Sequence, residues 1–217
     1  MKVCTDSCLF GAAVAQYISE KNIQNILDIG TGTGLLSLML AQKSSAFIDS
    51  IEINEDAYKQ SAINFKNSNW KNTFQLFHTS LQNFQPTKSY DLIIANPPFF
   101  ENSLKSNDYK KNVALHAEEL TLQELAFNAK KMMAHNGILA VLLPYQKSEV
   151  FIQEMKPLYL IKKVNVAQTT NHNFFRSILF FGNENNLLVE KNISIKNSNN
   201  EYTSDFIHYL KDYYLYL

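Results

Sequence analysis

The sequence predicts an α/β fold built on a mostly parallel, seven-stranded sheet, its last strand antiparallel, with helices on both faces. Three observations carry that expectation. Short apolar runs of strand length alternate with helix-length segments from Asn25 to Pro144. A glycine-rich turn, Asp28-Ile29-Gly30-Thr31-Gly32-Thr33-Gly34, follows the first of these runs, where open parallel sheets hold their ligands. The run Tyr90 to Ala95 is apolar enough to be covered on both faces, as strands of parallel sheets are.

Taken in order, Gly11 to Ile18 suits a helix with small residues on one face, after a polar segment, Lys2 to Ser7, that packs over something. Asn25 to Gly30 reads as the first buried strand and Leu35 to Gln42 as the helix behind it. Ala46 to Ile53 is the second strand, Glu55 to Lys66 a helix opened by acidic residues, and Thr73 to His78 the third strand. Tyr90 to Ala95 is the fourth. A helix from Thr121 to Met133, stopped by Asn136-Gly137, precedes a fifth strand, Ile138 to Leu143, ended by Pro144.

Beyond Pro144 the rhythm changes. A helix over Lys147 to Met155 leads to a strand at Leu158 to Val166, and another follows at Ser177 to Phe181 after a link without helical period. Such a link joins antiparallel neighbours, because parallel strands need a long crossover. The tail holds one more strand-like stretch, Leu187 to Ile195, and an aromatic segment ending at Leu217. The expected organisation is one domain over residues 1–217, with residues 1–20 covering a ligand and residues 183–217 forming an appendage.

Composition narrows the class. No run approaches the roughly 18–20 apolar residues of a membrane span, and no secretory leader pattern opens the chain. Cys4 and Cys8 lack a second cysteine pair, so neither a disulfide framework nor a zinc site is expected, and reduced thiols suit a cytoplasmic protein. Twenty basic residues balance twenty acidic ones, which counts mildly against a polyanionic partner. Lysines cluster at Lys105, Lys110 and Lys111, at Lys130 and Lys131, and at Lys162 and Lys163; each cluster reads first as a solvated face.

The glycine turn lacks the first, third and sixth glycines of the dinucleotide fingerprint, since its sixth position is Leu35. Its glycines let backbone approach a ligand, and the following helix N-terminus offers N–H groups to a carboxylate or phosphate. Glu52, ending the second strand, is placed to accept both hydrogens of a ribose diol. NAD and S-adenosyl-L-methionine both carry such a ribose, so the pair leaves them unseparated. Asp28 lies within a buried run and needs a partner, either a ligand ammonium or backbone amides.

The discriminating motif is Asn96-Pro97-Pro98-Phe99, directly after the fourth strand. Consecutive prolines stiffen the backbone and remove N–H groups, leaving carbonyls free to accept. The Asn96 side-chain oxygen and the Pro97 carbonyl can take both hydrogens of a planar amino group. That arrangement suits methyl transfer to an exocyclic amine, whose lone pair is delocalised and must be drawn back to nitrogen and aimed. Phe99 supplies a stacking surface worth about 1–3 kcal/mol for a base, which in a stacked strand must first swing out.

With these residues in view, the sequence resembles the Rossmann-like class I methyltransferases, and more closely the bacterial tRNA1(Val) adenosine(37) N6-methyltransferase family. The resemblance spans nearly the whole chain. It runs from Met1-Lys2-Val3-Cys4-Thr5-Asp6-Ser7, where Cys4 and Ser7 replace glycines, through Asp28 to Gly34, Ile51 to Asn54 and Asn96 to Phe100, to the aromatic tail. It implies S-adenosyl-L-methionine as cofactor and N6 of the adenosine 3′ of the anticodon in a valine tRNA as target. No obligatory protein partner and no metal are implied. By position, Lys2, Thr5 and Asp6 would line the cofactor pocket, Asp28, Gly30 and Gly32 surround its methionine part, and Glu52, with Ile53 beside it, hold the ribose. Ser80 and Leu81 would face the adenine, and Asn96, Pro97, Pro98 and Phe99 handle the target base.

Departures accompany the resemblance. Phe99 stands where many members carry tyrosine, and His116, in a stretch usually more basic, reads as a surface residue. Members usually carry polar and basic residues before Met-Lys-Val; their absence from this sequence points to a trimmed start or a missing RNA-binding arm. Arg176, the only arginine, suits a salt bridge at least as well as a phosphate, and the tail from Tyr209 to Leu217 reads first as core packing. Related chemistry on a protein glutamine amide, a DNA adenine or an rRNA guanine stays open, as does a cofactor-binding protein without turnover. A nicotinamide oxidoreductase would leave the Asn-Pro-Pro-Phe turn without a job.

Overall fold

The computed structural model describes residues 4–70, 73–97 and 120–217. Within them the first helix, α1 (Thr5–Ile18), begins earlier than the Gly11 start expected. Thr5, Asp6 and Ser7 form its first turn, where Asp6 complements the positive helix terminus. The polar start thus belongs to the helix and does not precede it.

Strand and helix then alternate: β1 (Asn25–Ile29), α2 (Leu35–Ala41), β2 (Phe47–Glu52), α3 (Glu55–Asn67), β3 (Phe74–His78) and β4 (Tyr90–Ala95). After residue 120 come α4 (Leu122–Met132) and β5 (Met133–Pro144). Caps set the helix starts. The Asn54 side chain accepts from Ala57 N–H at α3, and Thr121 and Glu124 cap each other's backbone amides at α4. Strand β5 starts at Met133, so Asn136-Gly137 lies inside it and not before it. The register against β4 shifts there, between Tyr90 and Leu92, and a Cβ on Gly137 would stand 2.8 Å from the Tyr90 carbonyl.

A 3-10 turn (Tyr145–Lys147) and α5 (Ser148–Glu154) lead to β6 (Tyr159–Thr169), β7 (Phe174–Gly182), β8 (Val189–Lys196) and α6 (Ser204–Leu210). The sheet order is β3-β2-β1-β4-β5-β7-β6-β8. Strand β7 inserts between β5 and β6, antiparallel to both, as the link without a crossover implied. The stretch expected from Leu187 adds an eighth strand, parallel to β6 at the edge.

Each face of the sheet carries its own core. One joins Leu9, Phe10 and Val14 of α1, Leu40 of α2 and Phe206 of α6 to Ile26, Ile94 and Phe180. The other packs Leu125 and Ala129 of α4 and Phe151 of α5 on Ile29, Ile93 and Leu139. The tail divides: Tyr213 and Tyr214 pack on the first core, whereas Leu215 and Tyr216 are exposed.

Candidate active site

Strand order reverses at β1, whose neighbours are β2 and β4. The chain therefore leaves β1, β2 and β4 around one crevice at their carboxyl ends. Ile29 of β1 pairs in register with Ala95 of β4 and with Ile51 of β2. Gly30, Asn96 and Glu52, each one residue further on, stand side by side at adjoining strand tips.

The glycine turn is held from several directions. Gly30 N–H and Thr31 N–H both donate to the Ile51 carbonyl, at 2.9 and 3.0 Å, and Asn64 Nδ2 donates to the Thr33 carbonyl at 2.8 Å. Gly30 and Gly34 have φ of +69° and +85°, conformations that side-chain-bearing residues avoid. Their surroundings differ. A Cβ on Gly34 would lie 2.5 Å from the Phe65 ring, so this glycine serves helix packing. One on Gly30 would meet no atom of the described residues within 4 Å, so among them its backbone is free of a packing neighbour on that side, where a ligand can approach.

Glu52 is buried, and each of its oxygens takes a backbone N–H: Oε2 from Gly32 at 2.7 Å and Oε1 from Asn54 at 2.8 Å. Each oxygen retains a lone pair for a second donor. Asp28 is fully buried, and Oδ2 accepts from the hydroxyls of Thr31 and Ser37, both at 2.6 Å. Its Oδ1 is buried, with no hydrogen-bond partner among the described residues. Burial pushes this carboxyl up to about 6, against the lowering effect of the Ser37 and Thr31 hydrogen bonds.

Asn96 is half-buried at the tip of β4, and its Nδ2 donates to Ser7 Oγ at 2.9 Å. The neighbouring Pro97 is buried. Ser7 belongs to a network: Asp6 Oδ1 accepts from Ser7 N–H at 2.9 Å, and Asp6 Oδ2 accepts from Arg176 Nε at 3.0 Å. Arg176 thus takes the salt-bridge role.

Not every expected residue joins this cluster. Thr5 and Asp6 lie at the start of α1 on the same side as Asn96, while Lys2, Pro98, Phe99, His116 and the lysines at 105, 110 and 111 lie outside the described residues. Ser80 is half-buried and its hydroxyl accepts from Asn83 N–H at 3.3 Å; Leu81 packs in the second core. Ile53, exposed, gives its carbonyl to the His78 ring, which stacks on Tyr58. Of the other lysines, Lys130 donates to the carbonyls of Glu154 and Lys156, and Lys163 pairs with Glu149. Sequence reasoning missed Ser7, Thr31, Ser37 and His78. Hydroxyls shortly after a buried acid were the signal for Thr31 and Ser37; Ser7 stood out only as a replacement for glycine in the N-terminal motif, and nothing local marked His78.

Residues 10–152 match a family model described as methyltransferase small domain. The tRNA1(Val) (adenine(37)-N6)-methyltransferase of Flavobacterium psychrophilum is 37% identical, over 99% of this chain and 93% of that protein. The same-named protein of Cytophaga hutchinsonii is 38% identical, over 100% of this chain and 92% of its own length. The chain belongs to that family. As a member of the tRNA1(Val) (adenine(37)-N6)-methyltransferase family it is an S-adenosylmethionine-dependent methyltransferase. The fold is also that of N-methyltransferase NodS from Bradyrhizobium japonicum WM9, solved with S-adenosyl-L-homocysteine: TM-score 0.58 at 16% identity, covering 82% of this chain and 85% of that one.

Features of the site fit this family's cofactor. A ribose diol suits the lone pairs left on Glu52, and among the described residues nothing packs beside the positive-φ backbone of Gly30 and no donor reaches Asp28 Oδ1. No helix among the described residues is long and apolar enough to cross a membrane.

Proposed function

We propose that this chain is a cytoplasmic enzyme that methylates N6 of adenosine in tRNA, at position 37, beside the anticodon of tRNA1(Val). The observation that carries the reading is the register that sets Asn96 level with Gly30, with the Asn96 amide nitrogen turned onto Ser7.

Glu52 holds the ribose of S-adenosyl-L-methionine, the glycine turn and Asp28 bound its methionine part, and Thr5, Asp6, Ile53, Ser80 and Leu81 complete the pocket with Lys2. The bound cofactor supplies an electrophilic methyl group. Because the Asn96 nitrogen is committed to Ser7, its oxygen is the atom left to accept from the adenine amino group, and the Pro97 carbonyl takes the second hydrogen. Two acceptors on one planar nitrogen localise its lone pair and aim it, so the protein contributes positioning and electrostatics. The extra proton leaves after transfer, and no strong base is required. Phe99 supplies the aromatic surface for the extruded base. The anticodon loop of the valine tRNA docks over the carboxyl ends of the strands. With a balanced net charge, few phosphate contacts hold it, which makes affinity steeply salt dependent.

The test is transfer of labelled methyl groups to unmodified total tRNA, with digestion to nucleosides. The expected product is N6-methyladenosine, with Asn96→Ala removing most activity and leaving cofactor affinity intact. Label entering a release-factor protein and not tRNA would move the assignment to glutamine methylation.

A further inference from the structure

We infer that Ser7 is a positioning residue for methyl transfer, holding the Asn96 carboxamide by its nitrogen so that the oxygen faces the substrate. The inference rests on the proposed reading of Asn96. A carboxamide has two nearly isosteric ends, an acceptor and a double donor. Only the oxygen can receive a substrate N–H; the reversed group would set donor against donor. Nothing in asparagine itself makes that choice. Ser7 Oγ, 2.9 Å from Nδ2, accepts from it and so restrains the amide in this orientation. Because a hydroxyl can also donate, the choice of end is completed by the substrate amino group, which only the oxygen can meet.

The rest of the network explains how a side chain at a helix start serves as a fixed reference. Ser7 N–H is held by Asp6 Oδ1, whose other oxygen is held by Arg176. Arg176 pairs in register with Pro144 of β5 and with Val166 of β6. Ser7 is thereby anchored through Asp6 to the middle of the sheet. Deleting its hydroxyl leaves α1 and the strands in place and releases the amide to rotate, a change that acts on the reacting geometry and leaves cofactor binding untouched.

Two measurements on the full chain test this. In the first, side-chain amide protons of Asn96, assigned by their loss in Asn96→Asp, are followed by NMR. The wild type is expected to show slowed exchange with solvent, and Ser7→Ala fast exchange; fast exchange in the wild type, or unchanged exchange in Ser7→Ala, overturns the inference. This arm needs no nucleic acid, so it stands apart from the identity of the substrate. The second uses whichever substrate the wild type methylates among tRNA, rRNA, DNA and protein. Ser7→Ala is expected to lower kcat roughly tenfold, with KM for S-adenosylmethionine within about twofold of wild type, Ser7→Thr to recover most of the loss, and Ser7→Ala/Asn96→Ala to be no slower than Asn96→Ala alone. A wild-type kcat in Ser7→Ala, failure of Ser7→Thr to recover, or multiplying losses in the double variant would overturn it. Methylation of a substrate other than tRNA would instead overturn the tRNA reading and leave Ser7 judged on its own data.

Discussion

Gly32 donates its backbone N–H to the Glu52 carboxylate at 2.7 Å, so the acid assigned to the ribose also fixes the shape of the glycine turn. The two halves of the proposed cofactor site are one hydrogen-bonded unit.

Glu52→Gln keeps the size of the side chain, removes its charge and replaces one acceptor by a donor. Bonds to a charged acceptor contribute about 1.5–3 kcal/mol, so affinity for S-adenosylhomocysteine should weaken by roughly 10- to 100-fold. Isothermal titration reads this directly, and unchanged affinity would remove Glu52 from the ribose site.

Gly30 and Gly34 separate ligand approach from packing. Alanine at either position is forced into a positive φ, costing on the order of 1 kcal/mol. At Gly34 the added carbon also overlaps the Phe65 ring, a further cost of about 1–3 kcal/mol. Gly34→Ala should therefore melt several degrees below Gly30→Ala, while Gly30→Ala shows the larger loss of cofactor affinity for its cost in stability. Thermal melts and titrations of the two variants check the ordering.

Asp28 makes stability pH dependent. Its carboxyl is raised from 3.8 to about 6 in the folded chain, so between these values the folded state binds more proton than the unfolded state. The contribution is fully present below about pH 4 and is lost as pH rises through 6, by at most about 3 kcal/mol. Asp28→Asn should gain stability relative to wild type between pH 4 and pH 7 in denaturant titrations; a constant difference would contradict the assignment.

At the opposite end of the sheet, the Tyr90 hydroxyl donates to buried Asp49 at 2.7 Å, with Lys88 beside it. Tyr90→Phe should destabilise by about 1–3 kcal/mol and leave methyl transfer and cofactor affinity unchanged at temperatures well below unfolding. A selective loss of kcat would show that the two ends of the sheet communicate.

The strand tips were legible because the residues that end strands, Gly30, Asn96 with Pro97, and Pro144, are also the residues that cannot continue them. Alternation of element types located β1 to β5 for the same local reason. The start of α1 was misread, since Thr5-Asp6-Ser7 looks like a polar loop until Asp6 finds Arg176, far away in sequence. The Ser7–Asn96 contact is invisible for the same reason: it joins residues separated by 89 positions. Periodicity announced the last strands yet not their neighbours, because burial on two faces says nothing about which edge a strand will choose.

The placement of β7 between β5 and β6 sets the order in which the molecule can be completed. During synthesis β6 emerges first but has no place beside β5 until the strand that follows it arrives. Until Phe174 to Gly182 leave the ribosome, the β5 edge, with Leu139, Val141 and Leu143, waits without its hydrogen-bonding neighbour. Nascent chains halted before that point expose a long apolar border of the kind that recruits chaperones or strays into aggregates.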